Sequence, residues 1–248
     1  MTSLKATAYL LALDDVGYRK GDSMRQGWTC VRAGMVFVLG ATLVNAGHGQ
    51  VRGIPVYNSG IPTGIGVYGD VGLPNEDAGK GTALAVGGRG GFGPFGATAI
   101  LSTFNPEGPG DSELSVGATL NYKVFGGPLI PLSVTLQGGI GYSKPDIGLL
   151  PDLDLSELRF PVGLGFALTI PNPALAVKPW LAPRLDIVRV SGGGTSDTDT
   201  NFGLGGGLEL NLLSGLGVHA AYDRVFAEGR DPGVFGFGAH YTFRVAGL

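Results

Sequence analysis

The feature that most constrains this chain is a period-two alternation sustained over segments too long for an ordinary soluble sheet. From Leu114 to Val124, the residues Leu114, Val116, Ala118, Leu120, Tyr122 and Val124 share one face, and Ser115, Gly117, Thr119, Asn121 and Lys123 share the other. Successive side chains of a strand point to opposite faces, so this pattern predicts a strand that is apolar on one side and polar on the other. The next segment repeats it, with Leu132, Val134, Leu136, Ile140 and Tyr142 opposing Ser133, Thr135, Gln137, Gly139 and Gly141. Similar segments run over 64–73, 82–92, 95–104, 158–170, 175–190, 201–212, 216–226 and 234–245, which makes ten. Strands of soluble proteins are most often about five or six residues long. A tilted strand needs about 9 to 11 to cross a bilayer, and most of these segments reach that length.

The connections alternate too. Gly93-Pro94, 125–131, 171–173 and 213–215 read as tight turns, while 74–81, 105–113, 143–157, 191–200 and 227–233 are longer and polar. Short turns at one end and longer loops at the other are the arrangement of a transmembrane barrel with periplasmic turns and outer loops. An even strand count then predicts both termini on the periplasmic side. Composition decides which face meets lipid. Charged residues are only 15% of the chain and glycine is 46 of 248 residues, whereas a soluble surface carries about a quarter to a third charged side chains. The polar faces here are mostly Gly, Ser, Thr and Asn, which suits a narrow lumen. The aromatics Tyr122, Phe125, Tyr142, Phe160, Phe226, Tyr241 and Phe243 fall mainly near segment ends, as an interfacial girdle requires. The expected fold is all-β, a single antiparallel up-and-down transmembrane β-barrel of about ten strands, with eight as the alternative count.

The first 63 residues stand apart. From Met24, the basic residues Arg25 and Arg32 precede an apolar run from Ala33 to Val44 and then small residues through Gly49. This is the layout of a secretory signal peptide, too short to span a bilayer as a helix. Residues 1–23 carry Asp14, Asp15 and Asp22 where an export signal is basic, and read as an over-extended start. Residues 24–50 are the expected leader, cleaved between Ala46 and Val51. Residues 51–63 read as an irregular Pro- and Gly-rich stretch, and 64–248 as the barrel. Export predicts the outer membrane of a Gram-negative cell.

The last segment, Gly233-Val-Phe-Gly-Phe-Gly-Ala-His-Tyr-Thr-Phe243, resembles the alternating aromatic terminal strand by which outer-membrane barrels are recognised for assembly. With the pattern over 64–248, the chain resembles the small outer-membrane β-barrel domain proteins, the OmpA-like and OmpX-like group. It departs from that group in ending Arg244-Val-Ala-Gly-Leu248, without a terminal aromatic. The resemblance implies a monomer surrounded by outer-membrane lipid and lipopolysaccharide, assembled through its C-terminal strand by the barrel assembly machinery.

Strand phase places charges in the lumen: the bases Arg89, Lys123, Arg159, Lys178, Arg184 and Arg244, the acids Asp70, Asp186, Glu209 and Asp223, and His219 and His240. A charge inside a small barrel must be paired or hydrated. A paired network across the lumen is the favoured reading, and a conduit with a basic excess is the other. Trp180 also falls on the lumen phase, and Pro179 and Pro183 beside it predict a bulge that shifts its register. Lumen glycines such as Gly163, Gly165, Gly203, Gly205 and Gly207 are expected to relieve crowding.

Little in the sequence points to catalysis. Gly64-Ile-Gly-Val-Tyr-Gly69 and Gly91-Phe-Gly-Pro-Phe-Gly96 match a G-x-G-x-x-G pattern but open no helix within a βαβ unit, so no dinucleotide site is expected. His219 or His240 with Asp223 could form an acid–base pair, yet no serine accompanies them at a convincing spacing. The acid pairs Asp152/Asp154 and Asp197/Asp199 read as a solvated rim, so no metal and no cofactor are expected. A formal net charge of −3 without a basic block argues against nucleic acid as a partner. The expected function is non-enzymatic: envelope structure, surface interaction or restricted passage of small solutes. The alternative is a secreted soluble barrel or sandwich that binds a small ligand.

Overall fold

The computed structural model describes residues 50–62, 64–107, 111–127, 130–145 and 155–243. The strands are β1 (Gly64–Pro74), β2 (Gly81–Phe92), β3 (Phe95–Pro106), β4 (Glu113–Phe125), β5 (Leu132–Ser143), β6 (Ser156–Leu168), β7 (Ile170–Pro171), β8 (Leu175–Gly192), β9 (Thr195–Leu212), β10 (Leu216–Phe226) and β11 (Gly233–Phe243). Chain neighbours pair antiparallel, and β1 pairs with β11 along its length. The two-residue β7 continues the β6–β8 ladder in the same register past Thr169. Ten long strands therefore make one closed antiparallel barrel, and closure leaves no unpaired sheet edge.

The alternation read from sequence becomes an inversion of inside and outside. On β4, Leu120 is 73% exposed while its neighbour Thr119 is 3% exposed. The other strands follow the same rule, with Phe92, Phe95, Val86 and Leu101 facing out and Ser102, Gln137, Arg184 and Asp223 facing in. Eleven residues, the length of β10, rise about 28 Å at about 3.3 Å per residue and a tilt near 40°. That matches an apolar band. Aromatic contacts mark both rims, with Phe95 on Tyr122 (5.3 Å) and Tyr241 on Phe243 (4.9 Å) at the short-turn rim and Phe202 on Phe226 (5.8 Å) at the other.

Two expectations are corrected. No bulge accompanies Trp180: the β8–β9 register runs unbroken from Leu175↔Leu212 to Gly192↔Thr195, and Trp180 points inward opposite Gly207. Pro183 falls in the gap between the Gly163↔Arg184 and Phe166↔Leu181 pairs of the β6–β8 ladder, where a residue without an N–H is tolerated, and the Trp180 side chain packs on Tyr57 inside the lumen. The connection expected over 191–200 is instead a two-residue turn, with Gly193 and Gly194 at φ 59° and 83°. Positive φ at both central residues is the geometry that suits tight hairpins. The extra strand length was hidden because a hairpin standing beyond the lipid band meets water on both faces, so nothing imposes alternation.

The expectation that both termini lie at the short-turn end falls on residues outside the described ones. The entry to β1 and the end of β11 lie together at the short-turn end, as an even strand count requires. Residues 50–62 run back through the lumen, and Gln50 lies at the loop end, against Gly141 of β5 and Gly117 of β4. At the loop rim, Asn75 ties two connections together: its Oδ1 accepts from the Gly233 N–H (3.1 Å) and its Nδ2 donates to the Asp231 carbonyl (3.0 Å). Lys80 and Glu107 pair at 3.1 Å beside it.

Candidate functional site

The barrel interior gathers the chemistry, and the segment Gln50–Pro62 runs along it. Proline at 55 and 62 and glycine at 53 and 60 keep this segment out of helix and sheet, so its backbone polar groups must find partners on the wall. They do. The Arg52 N–H donates to Ser115 Oγ (3.2 Å), the Val56 N–H donates to Asp223 Oδ2 (2.9 Å), and the Tyr57 carbonyl accepts from Gln137 Nε2 (2.9 Å). Glycines on the wall make the room. A Cβ on Gly72 would run into the Gly53 carbonyl, and one on Gly141 into the Gln50 carbonyl.

Side chains pair in the same way. Arg52 forms an ion pair with Glu113, and its guanidinium also lies 5.1 Å from the centre of the Phe104 ring. Ser59 Oγ donates to Glu209 (2.7 Å), and Arg89 approaches the same carboxylate at 3.5 Å. Arg184 sits between two acids, 2.6 Å from Asp223 and 2.8 Å from Asp186. Arg159 pairs with Glu157 on its own strand. Apolar contacts fill the remainder. Val51 and Ile54 pack with Ala83, Ile100 and Phe104, while Tyr57 packs on Trp180 and its small neighbours Ala167, Ala182 and Ala221. Trp180 is thus the lumen's apolar anchor.

Of the charged residues expected in the lumen, Asp70, Arg89, Arg159, Arg184, Asp186, Glu209, His219, Asp223 and His240 enter these contacts. Lys123 and Lys178 are half-buried toward the short-turn end, and Arg244 lies outside the described residues, as does the expected leader over 24–50 apart from its last residue, Gln50. The acid–base pair of a histidine with Asp223 does not form. His219 Nε2 meets Asp70 instead, its ring stacks near His240 (5.6 Å), and His240 Nε2 donates to Asn211 (2.8 Å). Asp223 is drawn away because Arg184 and the Val56 N–H occupy both of its oxygens. The glycines expected to relieve crowding do so for identifiable neighbours: Gly163 and Gly203 leave space for Arg184, and Gly165 for Asn58.

Sequence reasoning missed Arg52, Glu113 and Glu157. Both acids were read as the last residues of loops, and Arg52 sat in a stretch with no periodicity. The inward phase of Glu113, two residues before Ser115, was the available signal. Cavities remain around the segment. One of about 60 Å³ lies beside Tyr57 and Gln137. Another, about 220 Å³, opens near Gly215 and Thr242 at the short-turn end, with Arg89, Lys178 and Glu209 on its wall. Among the described residues no group of three or more His, Cys, Asp or Glu side chains is arranged to hold a metal ion.

A charged, hydrogen-bonded interior enclosed by an apolar exterior is the reverse of a soluble protein, and it is stable only where lipid faces that exterior and closure satisfies the backbone. The fold is that of a small outer-membrane β-barrel. The expectation of a soluble barrel or sandwich fails on this belt, since monomeric soluble proteins rarely expose apolar patches beyond a few hundred Å². No family model and no curated relative matches the chain. Solved structures with a similar fold include Ail, the attachment invasion locus protein of Yersinia pestis, at 16% identity over 73% of this chain and 100% of that one (TM-score 0.36). Another is the translocator domain of the autotransporter NalP from Neisseria meningitidis, at 14% identity over 88% and 98% (TM-score 0.41). A third is the outer membrane protease OmpT from Escherichia coli, at 9% identity over 73% and 94% (TM-score 0.37). A fold does not by itself assign a function, so function must be argued from this barrel's own lumen.

Proposed function

We propose that this barrel is a non-enzymatic outer-membrane protein of a Gram-negative cell, closed to solute and serving envelope structure or contact at the cell surface. One observation carries the reading: the lumen is occupied by the chain's own segment Gln50–Pro62, held by charge and hydrogen bonds at both ends. Buried carboxylates are engaged by bases and by donors from that segment, as Asp223 by Arg184 and the Val56 N–H and Glu209 by Arg89 and Ser59. The outward belt contacts lipid, with lipopolysaccharide in the outer leaflet, and β11 offers the terminal strand to the assembly machinery.

Planar-bilayer recording tests this. The intact protein should give no steady conductance. A variant in which residues 50–62 are replaced by a Gly/Ser linker of equal length should give open-channel steps. Steady single-channel current through the intact protein would reject closure and favour restricted solute passage, the reading that the cavity of about 220 Å³ beside Arg89 and Lys178 supports.

A further inference from the structure

The path of Gln50–Pro62 has a direction. Gln50 touches Gly141 and Gly117 close to the loop ends of β5 and β4, and Gly53 touches Gly72, Ala83 and Phe104 at the loop ends of β1, β2 and β3. Midway, Val56 reaches Asp223 and Tyr57 reaches His219 (4.9 Å between ring centres). Ser59 then meets Glu209, three residues from the end of β9, and the Pro62 carbonyl lies against Gly91 beside the tight turn after β2. The segment therefore crosses the whole lumen, entering at the loop mouth and leaving at the turn mouth to begin β1. The loop mouth is the outer one, because its connections include residues 144–155 whereas the opposite end is closed by turns as short as Gly93-Pro94 and 213–215.

We propose that the barrel holds its own N-terminal chain across the membrane, so that the amino terminus of the mature protein is displayed on the cell surface while the C-terminal strand ends at the periplasmic rim. This rests on the lumen-filling segment of the preceding section and adds its polarity. The outer mouth is built to hold an entering chain. Val51 and Ile54 seal against Phe104 and Ala83, and the Arg52–Glu113 pair is buried at the first residue of β4. An ion pair buried in this way is costly to break from one side, since the charge that remains stays buried while losing an opposite charge. Arg52 and Glu113 are therefore a latch on the segment.

The experiment uses the full barrel with two epitopes. A chain carrying an efficient signal peptide, an epitope tag and then residues 50–248 is compared with one carrying the tag in the Leu213–Gly215 turn. On intact cells antibody and external protease should reach the N-terminal tag and not the turn tag, which should become accessible only after the outer membrane is permeabilised. An N-terminal tag on the same side as the turn tag overturns the traverse. Bilayer recording on that protein then separates the two readings: silence leaves closure standing and removes only display, whereas steady current removes both. An N-terminal tag inside with the turn tag outside overturns display by inverting the barrel. Arg52→Glu should raise external cleavage within residues 50–62 at least about tenfold, as loss of a buried pair implies, and the exchange R52E with E113R should restore protection. Unchanged cleavage in Arg52→Glu overturns the latch.

Discussion

Arg184 shows why single residues matter in this lumen. Its guanidinium neutralises Asp223 and Asp186 together, and Asp223 is fully buried with its other oxygen on the Val56 N–H. Asp223→Ala removes one carboxylate and leaves both a cation and a backbone donor short of a partner, so stability should fall by about 3 to 5 kcal/mol. Asp197→Ala, in the hairpin beyond the belt, should change it by no more than about 0.5 kcal/mol. Urea unfolding from lipid vesicles, followed by Trp180 fluorescence, measures both. Equal effects from the two substitutions would show that Asp223 is hydrated and that the lumen is not a paired network.

At the scale of elements, the segment 50–62 and the wall are fitted to each other. Gly141 has no room for a Cβ because the Gln50 carbonyl is already there, whereas Gly138, on the outward face of the same strand, has nothing within 4 Å. Gly141→Ala should therefore cost about 1 to 3 kcal/mol through overpacking. Gly138→Ala should be nearly neutral in the same unfolding assay. The hairpin of β8 and β9 makes the opposite prediction. Its tip lies beyond the lipid band, so a short insertion between Gly193 and Gly194 should leave membrane integration and melting unchanged while becoming cleavable from outside the cell. Loss of integration on such an insertion would mean the hairpin packs against something its sequence does not reveal.

The whole molecule is a closed sheet whose stability depends on its solvent being lipid. The protein should fractionate with outer membranes and resist extraction by high salt or alkaline pH. It should also migrate on unheated gels as a compact species that converts to the unfolded mobility only on boiling. The physical basis is closure through β1–β11 and β6–β8, since no edge strand is available from which unfolding can start cheaply. Recovery of a detergent-free monomer from the periplasm would contradict the apolar belt.

Alternation on β4 and β5 was legible because a strand between lipid and lumen obeys a period of two at every residue. The same rule places Asp70, Arg184, Glu209 and Asp223 inside without any structure. The sequence by itself determined the all-β class, ten strands with the start of β9 as the main misplaced end, and the phase of the side chains along them except for the shift expected at Trp180, all of which are local consequences of the backbone repeat. Which charges meet is not local. His219 lies near Asp70 and Asp223 near Arg184 only because of strand register and closure, and nothing in the spacing of these residues distinguishes the alternatives. The same is true of Arg52 and Val56. Their stretch has no periodicity, so phase says nothing about it. Only the assembled barrel, with its glycine-lined track from Gly141 to Gly91 and its buried acids awaiting donors, decided that the segment lies inside rather than beside the wall.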